Sequence, residues 1–502
     1  MDDVAEGPTT GDRLGSAERC GPGRTGLRWF AGALVLYAST AAIGPMWADS
    51  SKLAIYALHA YYPSLNPGDH AGWTVLAHGW LALIPWLSPW HSLHLFSALC
   101  GAIAVGLASA TALEKTGRPA AARATGAMLL VALPVWWAST LTETYAMAWA
   151  LVCAVAFLSA RRRSGGSGIA ISVMMGVAGG LAAAVHSFTI LLTFPYLASE
   201  RKAHWPIIAL ALLGGAAPIW AAAFVSVIDP LTGYQASGTS TWSWHLASFV
   251  EIRRVAMGLV TVSALVGLAL GPLGAAAIYR SMRSASGRPR SLISLVCLIL
   301  LAGGLASYAP FRLHLMCGML IVGGILLFAP DLTPRQRTAH VAIQSILYLA
   351  IPFGMTATGH GGAGVRELPG RINAWYFFSP IKIWDTGPAG YAQELLKMAP
   401  ARAVILADFN AGAVLKLVQE DGHLRPDVTI SATAIDDALA SADPASRIAS
   451  EIARMEALGT PVVLADTWDP YYRLSELRQR HGLEFDSCGP GLALRRVPPD
   501  HR

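Results

Sequence analysis

Residues 28–59 read RWFAGALVLYASTAAIGPMWADSSKLAIYALH, and the fold turns on how this stretch is read. Arg28 to Ala48 is an apolar run long enough to cross a bilayer, which takes about 20 such residues. It has no convincing small-residue cleavage site, so it is expected to stay as a signal anchor. Asp49 follows at once, where the chain would return to water. A carboxylate there, with Ser50 and Lys52 just behind it, is costly to keep at a membrane surface without a use.

Composition points the same way. The chain of 502 residues is 54% hydrophobic and 14% charged, with a mean hydropathy of +0.46. Soluble domains carry about 25% charged residues, so a polytopic membrane protein is expected. The net charge of +6 is unevenly spread. Of the 37 Lys/Arg and 31 Asp/Glu, residues 385–502 hold 12 and 17, leaving an acidic tail behind a strongly basic membrane part. The basic excess is read as loop charge that orients helices, not as a nucleic-acid surface. The six cysteines show no CxxC pair or metal-ligand spacing, so no disulfide framework is expected.

Eleven stretches, from 28–48 to 338–355, are apolar enough to be candidate spans. That number places every basic cluster on one side: Arg24 and Arg28, Lys115–Arg123, Arg161–Arg163, Arg201 and Lys202, Arg280–Arg290, Arg335–Arg337. By the positive-inside rule that side is the cytoplasm. Trp73–Leu87 is short and carries His78, Pro85 and three tryptophans; counting it as a span would invert every later loop, so it is read as an interfacial helix. The expected organisation is a disordered cytoplasmic tail at 1–27, a membrane domain at 28–355 with a long first external loop at 49–90, a linker at 356–384 and an external domain at 385–502. Strand-length runs at Ala403–Ala407, Val428–Ser431 and Pro461–Ala465 alternate with helical patterns, which predicts a small α/β domain with a parallel sheet.

Several stretches carry a family resemblance. WADSSKLAIYALH (47–59), VWWASTLTETYAMAWAL (135–151) and GGLAAAVHSFTILLTFP (179–195) resemble, in order, three blocks of the GT-C-type membrane glycosyltransferases. Within that class they are most similar to the branch that includes the transmembrane protein O-mannosyltransferases. TSTWSWHLASFV (239–250), the segment around Arg312, and 401–430 with its Arg-Pro-Asp-Val are similar to later blocks. The first-loop His-Pro-Pro-Gly element of that branch is replaced here by Asn66-Pro67-Gly68-Asp69-His70-Ala71-Gly72.

The resemblance implies a GT-C-like membrane protein of about eleven transmembrane helices with a C-terminal α/β soluble domain. It also implies a sugar donor carried on polyprenyl phosphate, transferred to a hydroxyl of protein Ser/Thr, glycan or lipid at the outer face of a bacterial inner membrane. An acceptor hydroxyl needs a carboxylate base, for which Asp49 is the first candidate and Glu143 its partner. The departing phosphate calls for fixed cations, for which Arg312, Arg253, Arg254 and Lys52 are suitably sided. Ser50, Tyr145, His186, Trp137, His70 and Trp242 are candidate substrate contacts. No cofactor is required by this reading; a divalent cation between Asp49 and Glu143 is the alternative, and no metal site is evident in the spacing. Structural roles compete with each assignment: Asp49 could serve a helix start, Glu143 a helix dipole, and the tryptophans the interface. Rival functions are a transporter or flippase for an anionic or lipid-linked substrate, and an inactive scaffold.

Overall fold

The computed structural model describes residues 21–61, 70–165, 168–200, 204–221, 228–231, 252–284, 313–362 and 366–495. The membrane body is helical. It runs through α1 (Pro22–Thr40), α2 (Asp49–Leu58), α3 (Ala71–Leu83), α4 (Pro89–Thr116), α5 (Pro119–Leu130), α6 (Leu133–Ala138) and α7 (Thr144–Arg163). It continues through α8 (Ile169–Val185), α9 (Thr189–Ala198), α10 (Trp205–Gly215), α11 (Ala217–Ala221), α12 (Ile252–Ser284), α13 (Leu313–Phe328) and α14 (Pro334–Ala357). Among the described residues, Pro89–Thr116, Thr144–Arg163, Leu259–Arg283 and Pro334–Ala357 are long and apolar enough to cross a membrane. The expected span at 291–309 lies outside the described residues.

Several expected spans are interrupted where the sequence supplies a breaker. The first helix stops at Thr40, and residues 41–48, with Gly44 and Pro45, form an irregular connection before α2. Asp49 therefore does not continue α1; it opens a separate helix. The stretch 123–140 divides into α5 and α6 ahead of Pro134, and α12 bends at Gly271 (φ 57°) next to Pro272. Proline removes a backbone donor and clashes with the preceding turn, which accounts for both breaks. The stretch Trp73–Leu87 is largely covered by α3, a helix of 13 residues.

Helices α1 and α4 approach backbone to backbone. A Cβ on Gly26 would stand 3.0 Å from Gly106 O, and one on Gly106 would stand 2.9 Å from Gly26 O. Small residues at such crossings let dispersion contacts form where lipid gives no hydrophobic drive between helices.

Beyond the membrane body come α15 (Asn373–Phe378) and α16 (Gly387–Met398), then the α/β domain. Its elements are β1 (Val404–Leu406), α17 (Phe409–Asp421), β2 (Thr429–Ser431), α18 (Ala434–Leu439), α19 (Pro444–Ala457), β3 (Val462–Leu464), α20 (Asp469–Tyr472), α21 (Leu474–His481), β4 (Phe485–Cys488) and β5 (Gly491–Leu494). The sheet order is β2-β1-β3-β5-β4. Strand β1 pairs in parallel with β2 (Ile405↔Ile430) and β3 (Ile405↔Val463), and β5 is antiparallel to β3 and β4. The three predicted strands are thus the parallel part, and a C-terminal hairpin adds the antiparallel edge. Both central strands, VIL and VVL, are buried at every position, as expected where helices cover both faces of a parallel sheet.

The α/β domain sits on the membrane body at the α2 end. The Lys52 ammonium lies over the Phe409 ring at 5.9 Å, and His59 pairs with Glu420 at 2.9 Å. Lys416 donates to Pro230 O and Leu231 O at 3.0 and 2.7 Å, while Tyr56 donates to Asp229 Oδ2 at 3.0 Å. At the other end of the long helices, Arg118 pairs with Asp331, Arg162 with Glu200 and Arg161 with Glu114. Arg118, Arg161 and Arg162, from two of the basic clusters of the sequence, therefore lie away from Asp49.

Candidate active site

The site is assembled from three chain segments that meet beneath the α/β domain. The first is the start of α2. Ala48 precedes it at φ 57°, ψ −123°, a strained conformation for a residue with a Cβ and one that marks functional sites more often than ordinary turns. Its carbonyl accepts from the Ser51 and Lys52 amides, both at 3.1 Å. Asp49 then stands exposed in the first turn, while Ser50 and Ser51 are buried.

The second segment is the junction between α6 and α7. Ser50 Oγ donates to Thr142 O at 2.8 Å, so the residue after Asp49 is bonded to the residue before Glu143. Thr142 is also fixed from α4: its hydroxyl and His94 Nδ1 are 2.8 Å apart, and His94 Nε2 lies 2.9 Å from Gly44 O. A carbonyl only accepts, so in the neutral imidazole Nε2 carries the proton and Nδ1 accepts from Thr142. The Glu143 amide donates to Ser97 Oγ at 3.4 Å. Glu143 is 7% exposed and stands immediately before the α7 span. Its carboxyl is held well above the usual range, first by burial and then by the Asp49 charge. The two acids thus differ in surroundings: Asp49 is exposed and Glu143 is buried.

The third segment follows the last membrane helix, at 366–385. Burial raises the Tyr376 phenol; Arg371 opposes that rise, and Glu143, Asp385 and Asp49 add to it. Tyr376 thus stands where both acids and a guanidinium are felt. The Arg371 guanidinium lies 5.0 Å from the Tyr376 ring centroid and 5.5 Å from that of Phe377. Lys382, 2% exposed, donates to Trp375 O at 3.2 Å and Tyr376 O at 2.5 Å, closing the C-terminal end of α15. Burial lowers its ammonium to about 7, with Asp385 opposing and Arg371 adding to the fall. The Lys382 amide donates to Thr40 O at 2.8 Å, which ties the segment to the end of α1.

The candidates from sequence fall into distinct places. Trp137 is buried: its indole donates to Tyr376 O at 2.7 Å and stacks on His314 at 4.3 Å. It supports the Tyr376 backbone, with its ring faces already engaged. Ser50 is committed to Thr142. Lys52 lies over the Tyr56 ring at 5.1 Å. His70, His186 and Tyr145 come together: the two imidazoles stack at 5.0 Å, and Tyr145 meets His186 edge-on at 5.7 Å. His70 Nδ1 lies 2.9 Å from Val185 O. This aromatic group shares α7 with Glu143. Arg253 and Arg254 belong to the first turn of α12; their side chains, and all of Arg312 and Trp242, lie outside the described residues.

Arg371, Tyr376 and Lys382 did not stand out in the sequence. The signal was present in PGRINAWYFFSPIK (369–382), an aromatic run bracketed by two isolated cations, but nothing local says that it folds back onto Asp49.

No family model matches this chain, and no curated protein matches it. Solved structures do. Crystal structures of ArnT from Cupriavidus metallidurans, in the apo state and bound to undecaprenyl phosphate, align over 93% of this chain and 97% of theirs. Identity is 14% in both, with TM-scores of 0.50 and 0.53. At that identity the likeness concerns the fold. The chain is a polytopic helical membrane protein of GT-C-like fold with a small C-terminal α/β sheet domain.

Proposed function

We propose that the protein is an integral-membrane glycosyltransferase that moves a sugar from a polyprenyl-phosphate donor to a hydroxyl acceptor. The observation that carries this reading is the Ser50–Thr142 bond, which brings the chain neighbours of Asp49 and Glu143 together on a GT-C-like fold. A solved structure of that fold is bound to undecaprenyl phosphate, which supports a lipid-phosphate donor here.

In the reaction, Asp49 accepts the proton of the acceptor hydroxyl as its oxygen bonds to the anomeric carbon. The bond from that carbon to the phosphate oxygen breaks, and its electron pair leaves with the polyprenyl phosphate. Attack opposite the leaving group inverts the anomeric centre. Glu143, whose ionisation is opposed first by burial and then by the Asp49 charge, lies on the segment bonded to the start of α2 and would border the substrate beside Asp49. The developing phosphate charge is met by fixed cations, including Arg312, Arg253, Arg254 and Lys52 from the sequence reading. Tyr145, His186 and His70 form the aromatic wall nearest Glu143 along α7 and would border the sugar or acceptor.

The scheme uses no metal ion. Loss of transfer on chelation, restored by Mg2+, would favour a cation bridging Asp49 and Glu143. The finer expectations are that the protein acts in the manner of the O-mannosyltransferase-like branch, that the membrane is a bacterial inner membrane, and that Asp49 and the 385–502 domain face outward. They rest on the sequence motifs and the placement of basic loops. The test is purified protein in proteoliposomes with a radiolabelled polyprenyl-phosphate sugar. Equal yields of glycosylated acceptor and free polyprenyl phosphate are expected; translocation of the donor without product would mean a flippase.

A further inference from the structure

The segment 366–382 joins the α/β domain to the acid pair through two arginines with different surroundings. Arg366 is clamped by carboxylates at the ends of two neighbouring parallel strands: Nη2 lies 2.9 Å from Asp408 Oδ2 and 2.5 Å from Asp466 Oδ2. The side chains of Arg366, Asp408 and Asp466 are 15%, 0% and 4% exposed. Tyr472 donates to the same Asp408 oxygen at 2.7 Å, and the Arg366 guanidinium lies 4.4 Å from the Tyr471 centroid. Two carboxylates thus hold Nη2, while Nε and Nη1 are buried without a hydrogen-bond partner among the described residues.

Arg371 is the opposite case. Its Nε donates to Asn373 Oδ1 at 2.6 Å and its Nη2 to Arg366 O at 2.9 Å. Among the described residues it makes no ion pair, and Nη1 makes no hydrogen bond. The guanidinium lies near the Tyr376 and Phe377 rings, and Nη1 is the N–H group not used by the bonds to Asn373 and Arg366 O. A largely buried cation beside Tyr376 with no carboxylate in contact, Asp385 and Asp408 acting on it only from a distance, is a place that favours an incoming anion.

We infer that Arg371 binds the phosphate of the lipid-linked donor, and that Arg366, locked into the α/β domain, positions it. The two are bonded through the Arg366 carbonyl, and Asn373 Nδ2 donates to that carbonyl as well, at 3.0 Å. The α/β domain thereby sets the cation's place, which gives its buried charge cluster a use in the membrane reaction. This inference rests on the glycosyltransferase reading.

The experiment measures binding of a polyprenyl phosphate to the full-length protein in nanodiscs by native mass spectrometry, with melting temperature recorded for every variant. Arg454→Gln, on the exposed side of α19, is expected to bind like wild type. Arg371→Gln is expected to bind about 10- to 100-fold more weakly, the range for losing a charged hydrogen bond. Arg371→Lys should recover part of that loss, since it keeps the charge without the fork. Arg366→Gln should weaken binding too, and Arg366→Gln/Arg371→Gln should bind no more weakly than Arg371→Gln alone, because both act through one group. Wild-type binding by a folded Arg371→Gln overturns the inference and leaves the glycosyltransferase reading standing. Additive losses in the double variant overturn the positioning role of Arg366. A folded wild type that binds no polyprenyl phosphate overturns the glycosyltransferase reading itself.

Discussion

The Ser50 hydroxyl donates to the Thr142 carbonyl at 2.8 Å, and that one bond joins the neighbours of the two acids. Ser50→Ala leaves a buried carbonyl without its donor, a loss of about 1–3 kcal/mol. Chemical denaturation should show that loss, and sugar transfer should fall further than stability does, because Asp49 and Glu143 lose their common anchor. Transfer unchanged in a destabilised Ser50→Ala would mean that the bond serves folding alone.

Ala48 holds a conformation that glycine would adopt without strain. Ala48→Gly should relieve about 1 kcal/mol or more of strain, offset in part by the added freedom of the unfolded chain. The expected pattern is equal or higher melting temperature together with lower kcat, as the start of α2 loosens and Asp49 wanders. Equal kcat in a more stable variant would separate the strain from catalysis.

Lys382 supplies a pH dependence. Its folded pKa falls from 10.5 to about 7, chiefly by burial. Between those values the unfolded chain holds a proton that the folded chain has released, so stability rises with pH across that window and the cost is greatest below it. Lys382→Met removes this slope, although it also removes hydrogen bonds to Trp375 O and Tyr376 O at every pH. Melting temperatures from about pH 6 to about pH 10 should show wild type gaining on the variant. Parallel curves would place the ammonium in a solvated position.

Much of this architecture was legible because it is written in local patterns. Apolar runs and the placement of Lys and Arg gave the membrane helices and kept Trp73–Leu87 apart from them, and the runs at 403–407, 428–431 and 461–465 became β1, β2 and β3. Breaks inside helices were less visible: Pro134 lies within an otherwise continuous apolar stretch, and its apolar neighbours hid the break that it imposes after Leu130. The acids were legible as costly charges at helix starts and were paired through the family resemblance, but the bond that joins their neighbours was not legible. The Ser50–Thr142 bond spans 92 positions, and no spacing rule reaches that far. The hairpin β4–β5 was missed because FDSC and GLAL have little apolar alternation around the turn glycine Gly489. Arg371 was missed because its context, an arginine held against aromatic rings on a segment tied to the α/β domain, exists only in three dimensions.

The account depends most on Asp49 as the base. The most direct measurement is single-turnover transfer from a polyprenyl-phosphate sugar by Asp49→Asn protein with donor bound at saturation. The carboxamide keeps the shape and loses the proton acceptor, so the rate should fall by about 100-fold or more while donor affinity stays at the wild-type value. Wild-type transfer by that variant would contradict the account.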